Sequence, residues 1–167
     1  MLHVIGGKYK NQSLHSPKST NIRPTSGILR EALFNICQEE IPAARFLDLF
    51  AGSGAVGIEA LSRGAAFTTF VDSSKIALRS IAQSLKKLKL GQKSKLILCD
   101  ALNALNRMQK PFEIIYIDPP YKVYESDPAF IQQLLAKIQE KQLLANGGLL
   151  FLEEPVTKNQ KPPPLPA

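Results

Sequence analysis

The chain has 167 residues, 44 % of them apolar and 21 % charged, with a formal net charge of +7. That suits one soluble domain burying roughly two-thirds of its unfolded surface. No apolar run approaches the roughly 20 residues of a membrane span, and "MLHVIGGKYK" lacks the apolar core of a signal peptide, so nothing argues for export.

Cys37 and Cys99 are far apart and form no metal-like cluster; both read as buried thiols in a reducing cytoplasm. His3 and His15 are isolated and read as surface or loop histidines. The basic charge is one-sided. Residues 1–30 hold Lys8, Lys10, Lys18, Arg23 and Arg30 and no acid, and residues 73–99 hold seven lysines and arginines and no acid. Such stretches suit either a polyanion such as nucleic acid or a solvated lysine-rich face.

Along the chain, "LHVIGGKYK" reads as a short strand and turn. Pro24 then opens a helix with Thr25 or Ser26 as cap, its apolar face formed by Ile28, Leu29, Ala32, Leu33, Ile36 and Cys37. From Arg45 strands and helices alternate. "RFLDLF" is a strand, 54–63 a helix, and "AFTTFVD" a second strand. A helix capped by Ser73 or Ser74 follows, with a stripe of Ala77, Ile81, Leu85 and Leu88. "KLILCD" is the third strand, 101–109 a short helix, and "PFEIIYID" the fourth strand. Asp127 and Pro128 start a helix carrying Phe130, Ile131, Leu134, Leu135 and Ile138, and "GGLLFLEE" is the fifth strand. Strands apolar on both faces and separated by helices predict a parallel sheet covered on both sides. The proline-rich "PVTKNQKPPPLPA" predicts an extended or disordered tail.

"DLFAGSGAVG" places Gly52, Gly54 and Gly57 between a strand and a helix, as G-x-G-x-x-G. Glycines there allow tight turning and close approach of backbone donors to an anion. A dinucleotide pyrophosphate or the amino-acid part of S-adenosylmethionine would both fit. The acids separate these readings. Asp48, inside the first strand, would crowd a pyrophosphate but suits an ammonium group. Asp72 ends the second strand about 20 residues after Gly52, where a ribose diol would lie. Asp100 ends the third strand, within reach of an adenine amine, and Asp118 ends the fourth. Any one alone suits a helix cap. Together they line the strand edge where open α/β sheets bind ligands.

Asp118-Pro119-Pro120-Tyr121 then acquires a role. An amine on a base ring is a poor nucleophile because its lone pair is delocalised. Hydrogen bonds to Asp118 and the Pro119 carbonyl would favour a pyramidal nitrogen, the prolines would stiffen that carbonyl, and Tyr121 would offer a ring for stacking.

"VIGGKYK", "RPTSGILREALFNI", "FLDLFAGSGAVGIEALSRGA" and "IIYIDPPY" together resemble the bacterial 16S ribosomal RNA guanine-N2 methyltransferases of the RsmD type, over residues 2–153. The resemblance implies a Rossmann-like class I fold dependent on S-adenosylmethionine. It implies cofactor contacts at Asp48, Phe50, Ala51, Gly52, Ser53, Gly54, Asp72, Ser73, Asp100 and Ala101. It implies catalytic contacts at Asp118, Pro119, Pro120 and Tyr121, and RNA contacts at Lys8, Lys10, Arg23, Thr25 and Arg30. Two stretches depart from the family pattern: "NQS" at 11–13 replaces further Gly and Arg, and the usual C-terminal β-hairpin is expected to be missing.

The expectation is therefore an α/β sheet in the order 3-2-1-4-5. Residues 1–42 form a basic extension and helix, 43–154 the methyltransferase domain and 155–167 the tail. The expected partner is 16S rRNA, the 30S subunit or its assembly intermediate, with no metal and no membrane. The expected protein is a cytoplasmic monomer, with the exposed edge of the fifth strand as a route to oligomers. The alternatives are a DNA adenine-N6 or cytosine-N4 methyltransferase, an RNA-binding or assembly protein without catalysis, and a nicotinamide-dependent oxidoreductase, in which Asp48 and Asp118 to Tyr121 have no role.

Overall fold

The computed structural model describes residues 1–18 and 25–155. Five strands, β1 (Arg45–Leu49), β2 (Phe67–Asp72), β3 (Ser94–Leu98), β4 (Phe112–Ile117) and β5 (Leu144–Leu152), form one sheet in the order β3-β2-β1-β4-β5. Every pairing is parallel. The connections carry α2 (Ala55–Ser62), α3 (Lys75–Lys87), α4 (Ala101–Arg107), α5 (Tyr121–Ser126) and α6 (Phe130–Glu140), and α1 (Gly27–Ile36) precedes the sheet. This is the parallel sheet covered by helices that the alternation of apolar runs predicts, and the Rossmann-like fold that the resemblance implies.

Strand alternation assigns the two faces. Leu47 and Leu49 of β1 join Ile115 and Ile117 of β4 under α4 and α6, where Leu105 and Leu134 are fully buried. Phe46, Ile114 and Tyr116 point the other way, against Phe34 of α1 and Val56 and Ala60 of α2. Val4 and Leu14 of the N-terminal segment pack with α3 residues Ile81 and Leu85 and with Phe70 of β2.

Several expectations shift. Asp127 does not cap α6, which begins at Phe130, although the Phe130 amide donates to the Asp127 carbonyl. Helix α5, beginning directly after Pro120, was not anticipated; proline's fixed φ suits the entry to a helix. Strand β5 starts at Leu144 rather than Gly147. Residues 145–148 interrupt its pairing with β4, and Gly147 takes a left-handed φ of 72° there. Ser74, not Ser73, caps α3, accepting the Ala77 amide at 3.2 Å. Cys37 is buried but Cys99 only half-buried. Pro24 and the tail from 156 onward lie outside the described residues.

The largest difference is in α1. Its buried face is Arg30, Leu33, Phe34 and Cys37, while Ile28 is 85 % and Ile36 68 % exposed. A charged partner overrides the apolar pattern. Glu59 of α2 is fully buried, accepts the amides of Ile5 at 2.9 Å and Gly6 at 2.8 Å, and pairs with Arg63 Nε at 2.9 Å. Arg30 Nη1 lies 3.5 Å from the same carboxylate and donates to the His3 carbonyl at 3.0 Å. Drawing Arg30 inward turns the helix and fastens the N-terminal segment onto α2.

Removing this carboxylate strands a buried guanidinium and two backbone donors. Glu59→Ala should destabilise the fold by about 3–5 kcal/mol. Arg30→Met should cost less, because Glu59 keeps three of its partners. Urea midpoints of the two variants check the order.

Candidate active site

Everything at the site hangs from the carboxyl ends of neighbouring strands. After Leu49 the chain leaves β1 through Phe50, which takes a left-handed φ of 63°, an uncommon conformation for an aromatic residue and a source of local strain. Its ring packs edge-on against Phe130 at 6.2 Å between centroids. The Ala51 amide donates to the Val71 carbonyl at 2.9 Å, and the Gly52 amide to Asp72 Oδ2 at 2.8 Å. Gly54 enters α2 at a φ of 74°, where a Cβ would lie 2.7 Å from Ile81. Ser53 is buried between these two glycines.

The third glycine of the motif serves packing. A Cβ on Gly57 would meet the Phe70 ring at 2.3 Å and Asp48 Oδ2 at 2.9 Å. Without it, the Gly57 amide reaches Asp48 Oδ2 at 3.0 Å. Asp48 is only 1 % exposed, and burial pushes its carboxyl well above the ordinary carboxylate range. The Gly57 amide opposes that rise, and Asp118 and Asp72 reinforce it. A positively charged ligand group beside Asp48 would relieve this charge.

Asp72 is half-buried and already holds two backbone amides, Gly52 on Oδ2 and Ser74 on Oδ1, the latter at 2.8 Å. Each oxygen keeps a further lone pair for a ligand. Ser73 beside it is exposed. Asp100 caps α4, accepting the Asn103 amide at 3.0 Å, which holds its carboxyl below the usual range. Ala101, first in α4, is buried, and Leu98 at the end of β3 is 55 % exposed beside them.

Asp118 joins these groups directly. Its amide donates to the Leu49 carbonyl at 3.4 Å, so the turn after β4 touches the residue that precedes the glycine loop. Thr25 Oγ1 donates to Asp118 Oδ2 at 3.5 Å and lies 3.4 Å from the Tyr116 hydroxyl. Burial raises the Asp118 carboxyl, and the Thr25 and Tyr116 hydroxyls pull it back. Burial lifts the Tyr116 phenol above its ordinary range, so it stays a protonated donor. Pro119 is buried, Pro120 caps α5, and Tyr121 is 62 % exposed with its ring free to meet a planar partner.

The expected cofactor and acceptor residues therefore share one edge, with Thr25 beside them. Other expected RNA contacts lie elsewhere. Arg30 is corrected: 3 % exposed and committed to Glu59 and His3, it cannot reach a phosphate. Lys8 and Lys10 are exposed, but the Lys8 and Tyr9 amides bind Ser62 at the far end of α2, about 12 Å along that helix from the loop. Arg23 lies outside the described residues.

Two residues escaped the sequence reading. Tyr116 sits two positions before Asp118, hence on the same face of β4, a signal that strand alternation carries. Glu153 follows β5 as Asp118 follows β4, so counting strand-end acids through the fifth strand finds it.

Residues 2–165 match the model of a family described as conserved hypothetical protein 95. A protein from Buchnera aphidicola subsp. Baizongia pistaciae named "Ribosomal RNA small subunit methyltransferase D" is 34 % identical over 160 residues, covering 95 % of this chain and 79 % of its own. A protein of the same name from Escherichia coli K12 is 32 % identical over 155 residues, covering 93 % and 75 %. The solved Escherichia coli structure "Putative methyltransferase yhhF" superimposes with a TM-score of 0.83 at 30 % identity, over 98 % of this chain and 86 % of that one.

Asp48 yields a signed prediction. Its folded-state pKa is raised above the ordinary 3.8. The stability this group contributes is therefore full below that value and is lost as pH climbs through the higher folded-state value. Urea midpoints should fall with rising pH across that window, and fall less in Asp48→Asn.

Proposed function

The chain belongs to the conserved hypothetical protein 95 family, with relatives named ribosomal RNA small subunit methyltransferase D, and on that premise we propose that it transfers a methyl group from S-adenosylmethionine to the exocyclic N2 of a guanine in 16S ribosomal RNA. The observation that carries this reading is the 3.4 Å bond from the Asp118 amide to the Leu49 carbonyl. It supports the reading because it holds the Asp118 turn against the residue that precedes the glycine loop.

The residues fit that cofactor by charge and hydrogen-bonding capacity. Asp48, desolvated and near two other carboxylates, would take the methionine ammonium. Asp72 would accept from the ribose hydroxyls. Asp100 and Leu98 would flank the adenine, one offering an acceptor and the other apolar surface. Phe50 to Gly54 would supply backbone donors to the methionine carboxylate. When bound, the cofactor supplies an electrophilic methyl carbon on a positively charged sulfur.

The chain's own residues prepare the nucleophile. Asp118 accepts one N–H of the guanine amine and the Pro119 carbonyl accepts the other. Thr25 bonds Asp118 and itself lies against the Tyr116 hydroxyl. Tyr121 stacks on the base. Positive charge would develop on nitrogen as the methyl arrives and the thioether S-adenosylhomocysteine leaves; the Asp118 carboxylate stabilises that charge and takes the surplus amine proton, which then passes to solvent. Residues 43–154 carry most of this apparatus, and Thr25 joins it from the N-terminal extension. The substrate is the small subunit or its precursor, in the cytoplasm.

The test is methylation of 30S particles, free 16S rRNA and duplex DNA with labelled S-adenosylmethionine, followed by nucleoside mass spectrometry. N2-methylguanosine in the RNA is expected, and label in DNA alone refutes the reading. Asp118→Ala should lose at least about 100-fold in turnover while cofactor affinity by calorimetry stays within a few-fold.

A further inference from the structure

The last paired residues of β4 and β5 are Ile117 and Leu152. One position on, the Glu153 amide donates to the Ile117 carbonyl at 2.9 Å, so the ladder continues past the strand ends. Asp118 and Glu153 are thereby lateral neighbours, and in a parallel ladder lateral neighbours project to the same face. Tyr124 of α5 fixes the position further, its hydroxyl donating to the Glu153 carbonyl at 2.6 Å. Glu153 is half-buried. Burial raises its carboxyl, the nearby Asp118 charge raises it further, and the Tyr116 hydroxyl opposes both. The sheet edge where β4 and β5 end thus holds two carboxylates side by side, and the proposed transfer uses one.

Base edges differ in what they bring to such a pair. Adenine offers an N6 amine beside a bare N1, and cytosine an N4 amine beside a bare N3. Against two carboxylates, each would place a ring lone pair on a negative oxygen. Guanine offers the N2 amine beside N1–H, two adjacent donors. Only that edge satisfies both groups.

We propose that Glu153 is the specificity-determining residue of the acceptor site, accepting the N1–H of the target guanine while Asp118 holds its N2 amine. The assignment rests on the guanine-N2 reading above and deepens it. Glu153 takes no part in bond making. It selects the base by rewarding one ring N–H and repelling a ring lone pair in its place.

The test replaces the target guanine, once mapped, by 2-aminopurine in the RNA substrate. That base keeps the C2 amine but carries a bare N1. Wild-type protein should methylate the guanine RNA with kcat/KM about 10- to 100-fold above the 2-aminopurine RNA. In Glu153→Gln the side-chain amide can turn its N–H toward the bare N1, so the ratio should shrink about tenfold or more through loss on guanine and gain on 2-aminopurine. A purely structural role lowers both substrates equally and leaves the ratio unchanged, which overturns the assignment. Wild-type protein that accepts both RNAs equally overturns it without any variant. Mass spectrometry separates the two readings: N2-methylguanosine with an unchanged ratio removes only the role of Glu153, whereas label on adenine N6 or cytosine N4 removes both.

Discussion

The site depends on β1 lying between β2 and β4, parallel to both. Parallel pairing sends every strand out of the sheet at the same edge, so the chain segments that follow must meet there. Leu49 pairs with Val71 on one side and Ile117 on the other. The glycine loop therefore emerges between Asp72 and Asp118, and backbone bonds from Ala51 to Val71 and from Asp118 to Leu49 hold it there. Antiparallel pairing of either neighbour would carry its acid to the opposite end of the sheet.

That edge concentrates negative charge. Asp48, Asp118 and Glu153 are each pushed toward protonation, chiefly by burial. Stability alone would favour uncharged residues there, because desolvated carboxylates oppose folding at neutral pH. The proposed ligands would bring positive charge and N–H donors to this edge, and so would offset that cost. The buried pair of Glu59 and Arg30 works differently. Its partners all lie within the chain, and it fastens the N-terminal segment and α1 to α2. Thr25, just before α1, is thereby brought to Asp118.

Strands and most helices were legible because each buries a stripe whose period the sequence displays. Where the reading slipped, a force other than periodicity decided. In α1 an ion pair drew Arg30 inward and left Ile28 and Ile36 outside. In α5 a helix of six residues is too short to show a period. In β5 the interruption at 145–148 follows from the pairing with β4.

The sequence by itself determined the strand order's raw material: five apolar runs, a glycine loop after the first and an acid after each of several others. Those are local properties, set by which residues stand next to each other along the chain. Only the tertiary structure decided which acids become neighbours at the sheet edge. Asp118 and Glu153 are far apart in sequence and lie laterally adjacent, while Arg30 sits near the site in sequence but spends its charge on Glu59. Pairing register and burial settle such matters, and both depend on contacts between segments that no short stretch contains.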